Sequence, residues 1–143
     1  ILIEVVTDNK NRAQTNVRST TGKLGGTVAG SGAVSHLFSH EGIITIAYTG
    51  TYDDALQLAL EAGADDVEEI GEGDFILYTK SSDLHRVQEY LQGQHVQIHE
   101  SILGYRPHQY IEVNPEQASD IISILEALEE LDDVQRVFTN AHL

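Results

Sequence analysis

Ile1-Leu2-Ile3-Glu4-Val5-Val6-Thr7-Asp8-Asn9-Lys10-Asn11-Arg12 opens the chain with a β-branched apolar run that passes directly into cap-forming polar residues. The run predicts a strand over residues 1–7, buried on both faces. Asp8 or Asn9 predicts the cap of a helix reaching about Leu24. Gly25-Gly26 predicts its end. A strand delivered straight into a helix is the start of a layered α/β structure, and the same grammar recurs downstream.

After a loop rich in Gly, Ala, Ser and Thr through Ala33, residues 34–38 and 43–48 predict two strands with a turn at His40-Glu41-Gly42. Thr51 to Asp54 reads as a capping box opening a helix over 52–62, stopped by Gly63. Residues 67–70 and 75–79 predict a hairpin around Gly71-Glu72-Gly73. Ser81 or Ser82 predicts the cap of a helix with Leu84, Val87 and Leu91 on one face, ended by Gly93. A strand is expected over 96–103 and another over 109–113. Asn114-Pro115-Glu116-Gln117 then combines a cap residue, Pro at the first helical position and Gln at the third. Ala118, Ile121, Ile122, Leu125 and Leu128 form its apolar stripe. Residues 134–139 predict a last strand. The expected architecture is α+β, two ferredoxin-like α/β sandwiches with one inserted into the other. The split domain takes residues 1–50 plus 107–143, and the inserted domain takes 51–106. A unit of that size is marginal alone.

The 143 residues are 41% apolar, enough for a core, and carry 23 acidic against 8 basic side chains, a net charge of −15. No apolar stretch approaches the roughly 18 residues of a membrane span. With no Cys, disulfide scaffolds and thiolate metal sites are excluded. The chain also lacks Met, even at position 1. The expectation is a fragment missing its N-terminal part. The charge is uneven. Residues 1–50 hold Lys10, Arg12, Arg18 and Lys23 against Glu4, Asp8 and Glu41, a balance of +1, while residues 51–143 carry −16. The overall acidity argues against indiscriminate DNA coating. A local basic patch can still meet phosphate, because Coulomb forces are screened beyond about 8–10 Å.

On the first helix Arg12, Asn16, Ser19 and Lys23 share one stripe, a composition suited to phosphate or RNA. Ala13, Val17 and Leu24 are expected to face the sheet. The segment from Gly22 to Gly32 is not a phosphate-binding loop, since Gly22-Lys23 closes a helix rather than opening one. It reads as a connector or a loop that orders against a partner. His36/His40 and His95/His99 are four apart, but in strands that spacing spans roughly 13 Å, too far to share a metal ion. Asp65-Asp66 and Glu68-Glu69 read as a solvated rim. Ser31 lacks a nucleophile-elbow context. No catalytic residues, cofactor, metal or small-molecule substrate are expected, and the chemistry is that of binding.

Thr7 to Arg12, Val17-Arg18, Gly22 to Gly26, Gly32-Ala33-Val34 with Phe38, and Gly42-Ile43-Ile44 resemble the YebC/PmpR family. Ala59 to Val67 and Leu128 to Asn140 also resemble it, in family order. The resemblance implies a basic, mostly helical N-terminal domain, absent from this chain, followed by two α/β domains, one inserted in the other. It implies a non-enzymatic, ribosome-associated translation factor that relieves stalling at proline-rich stretches. The alternative is a DNA-binding transcriptional regulator. Matched by position, Asn9, Arg12, Arg18, Lys23, Gly25 and Gly26, with Asn16 from the stripe, become the expected nucleic-acid contact residues. The expected partners are rRNA or tRNA on the ribosome, DNA in the alternative, and a basic protein on the acidic inserted domain. The expected compartment is the bacterial cytoplasm, with the mitochondrial matrix as the alternative.

Overall fold

The computed structural model describes residues 1–30 and 32–143. Ser31, named above for its missing elbow context, lies outside the described residues. The chain divides into two compact units, Ile1–Ser39 with Arg106–Leu143, and His40–Tyr105.

The second unit contains β2 (Phe38–Ala47, entering from the first unit), α2 (Tyr52–Ala62), β3 (Asp66–Glu69), β4 (Asp74–Lys80), α3 (Leu84–Gly93) and β5 (Gln97–Pro107, leaving to it). The sheet order is β3-β4-β2-β5, and β4 is antiparallel to both β3 and β2. This is a βαββαβ sandwich, the ferredoxin-like plan. Ile44 pairs with Leu77 and Ile46 with Phe75. All four are buried, and they share one core with Ala55, Leu58 and Ala59 of α2 and Val87 and Leu91 of α3. Alternate residues of a strand share a face, so both helices cover the same side of the sheet.

The first boundary therefore falls at Ser39/His40 and not at 50/51. β2 is the strand that completes this sheet, and pairing with β4 along Glu41–Ala47 commits it to the inserted unit. The expected turn at His40-Glu41-Gly42 is absent for a related reason. Gly42 sits inside β2 opposite Thr79, and a Cβ there would collide with the Thr79 hydroxyl and lie 3.1 Å from Leu84 Cβ. The glycine serves close approach rather than a turn. The strand expected over 34–38 is a 3-10 turn, Ser35–Leu37, running into β2. Neither Ser81 nor Ser82 caps α3; both lie in a 3-10 turn, Ser81–Asp83, that precedes it.

The first unit holds β1 (Leu2–Val5), α1 (Lys10–Lys23), β6 (Ile111–Glu112), α4 (Pro115–Glu129), β7 (Val134–Phe138) and β8 (Ala141–His142). β1 pairs antiparallel with β7, and β6 pairs in parallel with β8. Asn114 and Gln117 form the reciprocal capping box of α4, with Pro115 at its first position. Val17 of α1, Leu128 of α4 and Val134 of β7 form a small core, flanked by Ile3, Val28, Ile124, Leu131 and Val137. No helix among the described residues is long and apolar enough to cross a membrane.

Candidate nucleic-acid interface

α1 begins where the polar segment after β1 locks itself. Thr7 Oγ1 accepts from the Asn9 amide at 3.0 Å, and Asn9 Oδ1 accepts from the Arg12 amide at 3.0 Å. Asn9 is thus the cap, its side chain satisfying one of the free N–H groups of the first turn. Arg12, one turn in, is held by carboxylates. Its Nε donates to Asp133 Oδ2 at 3.1 Å, and Nη2 donates to Asp133 Oδ1 at 2.9 Å and to Asp8 Oδ1 at 3.0 Å. The Val6 amide also donates to the Asp133 carbonyl at 3.0 Å. The bidentate fork fixes angle as well as distance. Hydrogen bonds from Arg12 hold the Asp133 carboxyl below its ordinary value, and the same bonds raise Arg12.

This arrangement reshapes the expected contact stripe. Arg12 lies on it, but two acidic groups engage its charge. Asn16, Ser19 and Lys23 remain exposed along the same face. The side chains of Lys10, Arg18 and Lys23 are exposed and make no hydrogen bond or ion pair to another described residue. Lys23 stands in the last turn, where a cation also complements the helix dipole. Ala13 and Val17 are buried as expected, but the third buried position is Thr21 rather than Leu24, which is 41% exposed. One more helical turn from Val17 reaches Thr21, whereas Leu24 already lies beyond the helix, at its C-cap.

The two glycines have local duties. Gly25 has φ +85°, the left-handed geometry that ends α1. A Cβ on Gly26 would lie 2.6 Å from Thr21 Cγ2, so that position packs against the helix. Asn9, Arg12, Gly25 and Gly26 therefore shape the element, while Asn16, Arg18 and Lys23 are its free polar groups.

Lys10, Gln14 and Arg18 form a second stripe that the sequence reading missed. They line a cleft of about 680 Å³ bordered by α1, β1, Ile124 and Leu128 of α4, and residues 26–30 and 32–34. Their i, i+4, i+8 spacing was legible, but which face is covered depends on β1. Elsewhere the histidines are dispersed. His40 stacks on Tyr105 at 4.9 Å between ring centroids, His99 Nε2 lies 3.4 Å from Asp74 Oδ1, and His36 is in the 3-10 turn. Among the described residues no three His, Asp or Glu side chains converge as metal ligands would.

The family model of the TACO1/YebC second and third domains matches residues 1–141. A probable transcriptional regulatory protein of Frankia casuarinae is 37% identical across the whole chain, which spans 57% of that relative's length. A namesake from Mycobacterium tuberculosis is 38% identical over 98% of this chain and 56% of its own. The crystal structure of a conserved hypothetical protein, Aq1575, from Aquifex aeolicus superimposes with a TM-score of 0.87 at 37% identity, covering 98% of this chain and 58% of that one. The two segments that Arg12 and Asp133 tie together, Thr7 to Arg12 and Asp132 to Gln135, are both within the matched span. The chain belongs to the TACO1/YebC family and comprises that family's second and third domains.

Proposed function

We propose that this chain is part of a non-enzymatic, ribosome-associated translation factor that relieves stalling at proline-rich stretches, with α1 offering Asn16, Arg18 and Lys23 to the backbone of rRNA or tRNA. The observation that carries the RNA contact is the pair of exposed cations, Arg18 and Lys23, whose side chains have no hydrogen-bond or ion-pair partner among the described residues. The second unit, by contrast, holds 13 acidic side chains against Lys80 and Arg86 and would be repelled by phosphate. The stalling role rests on the family resemblance. Bacterial relatives support action in the bacterial cytoplasm.

Co-sedimentation with ribosomes tests this reading. The chain should pellet with ribosomes, and the double variant Arg18→Glu, Lys23→Glu should not. Undiminished pelleting of that variant contradicts the proposed surface.

The names of the curated relatives favour a second reading, regulation of transcription through promoter DNA. It predicts tighter binding to promoter duplex than to random duplex or structured RNA in the same salt series. Equal weak affinity for both duplexes counts against it.

A further inference from the structure

We infer that the cleft beside α1 binds a single-chain amphiphilic anion, an aliphatic tail that ends in a carboxylate or phosphate head. The inference does not rest on the RNA reading. It shares Arg18 with that reading and requires neither Asn16 nor Lys23.

The cleft lies over the face of β1 that looks toward the helices. Ile1, Ile3 and Val5 line it, whereas Glu4 and Val6 do not. Alternate residues of a strand share a face, and Ile3 packs on the core of Val17 and Leu128. Ala13 and Val17 of α1, with Ile124 and Leu128 of α4, continue the apolar lining. The volume of about 680 Å³ falls within the range of about 300–1,000 Å³ typical of small-molecule sites. Such sites are likewise mostly apolar, with a few polar groups that orient the ligand. Val5, in the wall, is 38% exposed, which leaves apolar surface for a tail to cover.

The polar groups select the head. The chain holds 23 acidic side chains against 8 basic ones, yet the described residues that line the cleft include Lys10 and Arg18 and no acid. Neither cation has a side-chain hydrogen-bond or ion-pair partner among the described residues. A locally positive wall in an acidic molecule draws an anion. Thr21 follows Arg18 by three residues, so the two are neighbours on the helix surface. Thr21 is 7% exposed and lines the cleft, and its buried hydroxyl has no hydrogen-bond partner. A buried hydroxyl left in that state is costly. One oxygen of an anionic head can accept from it while the head meets the Arg18 guanidinium. Gln14, between Lys10 and Arg18 on the same stripe, adds a neutral donor. No aromatic ring lines the cleft, so the stacking that holds an unpaired base is missing and an aliphatic tail fits instead.

The test is calorimetry on the 143-residue chain with decanoate, kept below micelle formation. Decyltrimethylammonium, with the same tail and the opposite charge, should bind at least about tenfold more weakly. Octanoate, two methylenes shorter, should bind about three- to tenfold more weakly. Decyl phosphate should bind as well, and the tighter of the two anions assigns the head to a free fatty acid or to a phosphorylated lipid. Charge reversal at Lys10 and Arg18 together should weaken decanoate about tenfold or more. Thr21→Val should weaken it about threefold or more without lowering the unfolding temperature, since the hydroxyl has no partner in the free chain. Lys23→Glu should leave decanoate within about twofold while removing ribosome binding, so the two readings fail separately. No binding of either anion, equal affinity for the cationic amphiphile, equal affinity for octanoate, or undiminished binding by the charge-reversed variant overturns the inference. So does tighter binding of an acidic pentapeptide of alternating Glu and Val than of decanoate.

Discussion

The Arg12 guanidinium grips both carboxylate oxygens of Asp133, at 3.1 and 2.9 Å, across 121 positions of sequence. The Asp133 side chain is 14% exposed and the Arg12 side chain 49%, so the acid is the more sheltered partner. Asp8, on the other side of the guanidinium, is 90% exposed. The contact joins the start of α1 to the turn before β7. Residues with the composition of a nucleic-acid contact thereby act as a clasp within the first unit.

Removal of Arg12 should destabilise more than removal of Asp8, because it strands the sheltered Asp133 carboxylate while Asp8 can be solvated. Thermal unfolding of Arg12→Ala, Asp8→Ala, Asp133→Ala and the Arg12→Ala, Asp133→Ala double variant checks this. The loss in the double variant should be well below the sum of the two single losses, since either one breaks the same contact. Arg12→Lys should recover only part, lacking the two-pronged fork.

The clasp also sets an acid limit. The folded state holds Asp133 below its ordinary value. Its stabilising contribution is therefore complete above the unfolded carboxylate pKa of about 4 and is lost as pH falls through the lower folded value. Arg12 remains charged throughout that range. The stability gap between the wild-type chain and Asp133→Asn should be constant from pH 5 to neutrality and shrink below about pH 4. A gap that widens on acidification contradicts the assignment.

Gly42→Ala should destabilise the second unit by about 1–3 kcal/mol, since the added methyl is forced against Thr79 and Leu84 in a filled core. Gly42→Ala combined with Thr79→Ala, which removes the hydroxyl nearest the added methyl, tests the cause in urea titrations when compared with Thr79→Ala alone. The smaller side chain should return part of the loss if crowding is responsible, and none if the glycine is needed for backbone freedom.

Asn114→Ala should cost about 1 kcal/mol by removing one half of the α4 capping box. Gly substitution at the same site should cost only a few tenths, and the difference is measurable by denaturant midpoint.

Much of the architecture is legible because its punctuation is local. Asn9, the Thr51 box, Gly63 and the Asn114-Pro115 start each sit where the cap lies. What is not legible depends on partners distant in sequence. Gly42 reads as a turn until Thr79 is seen opposite it. That pairing, not anything between residues 40 and 50, moves β2 to the inserted unit. Arg12 reads as a free cation because only Asp8 is near it in sequence; Asp133 arrives through β7. Lys10, Gln14 and Arg18 are a visible stripe, but that it borders a cleft depends on where β1 packs against α1.

The central claim is that the unpartnered cations of α1 meet nucleic-acid phosphate. The salt dependence of binding to structured rRNA fragments, for the wild-type chain and for Arg18→Glu with Lys23→Glu, tests it most directly. Loss of two phosphate contacts should flatten the plot of log K against log salt by about 1.4–1.8. An unchanged slope, with the affinity intact, would contradict the account.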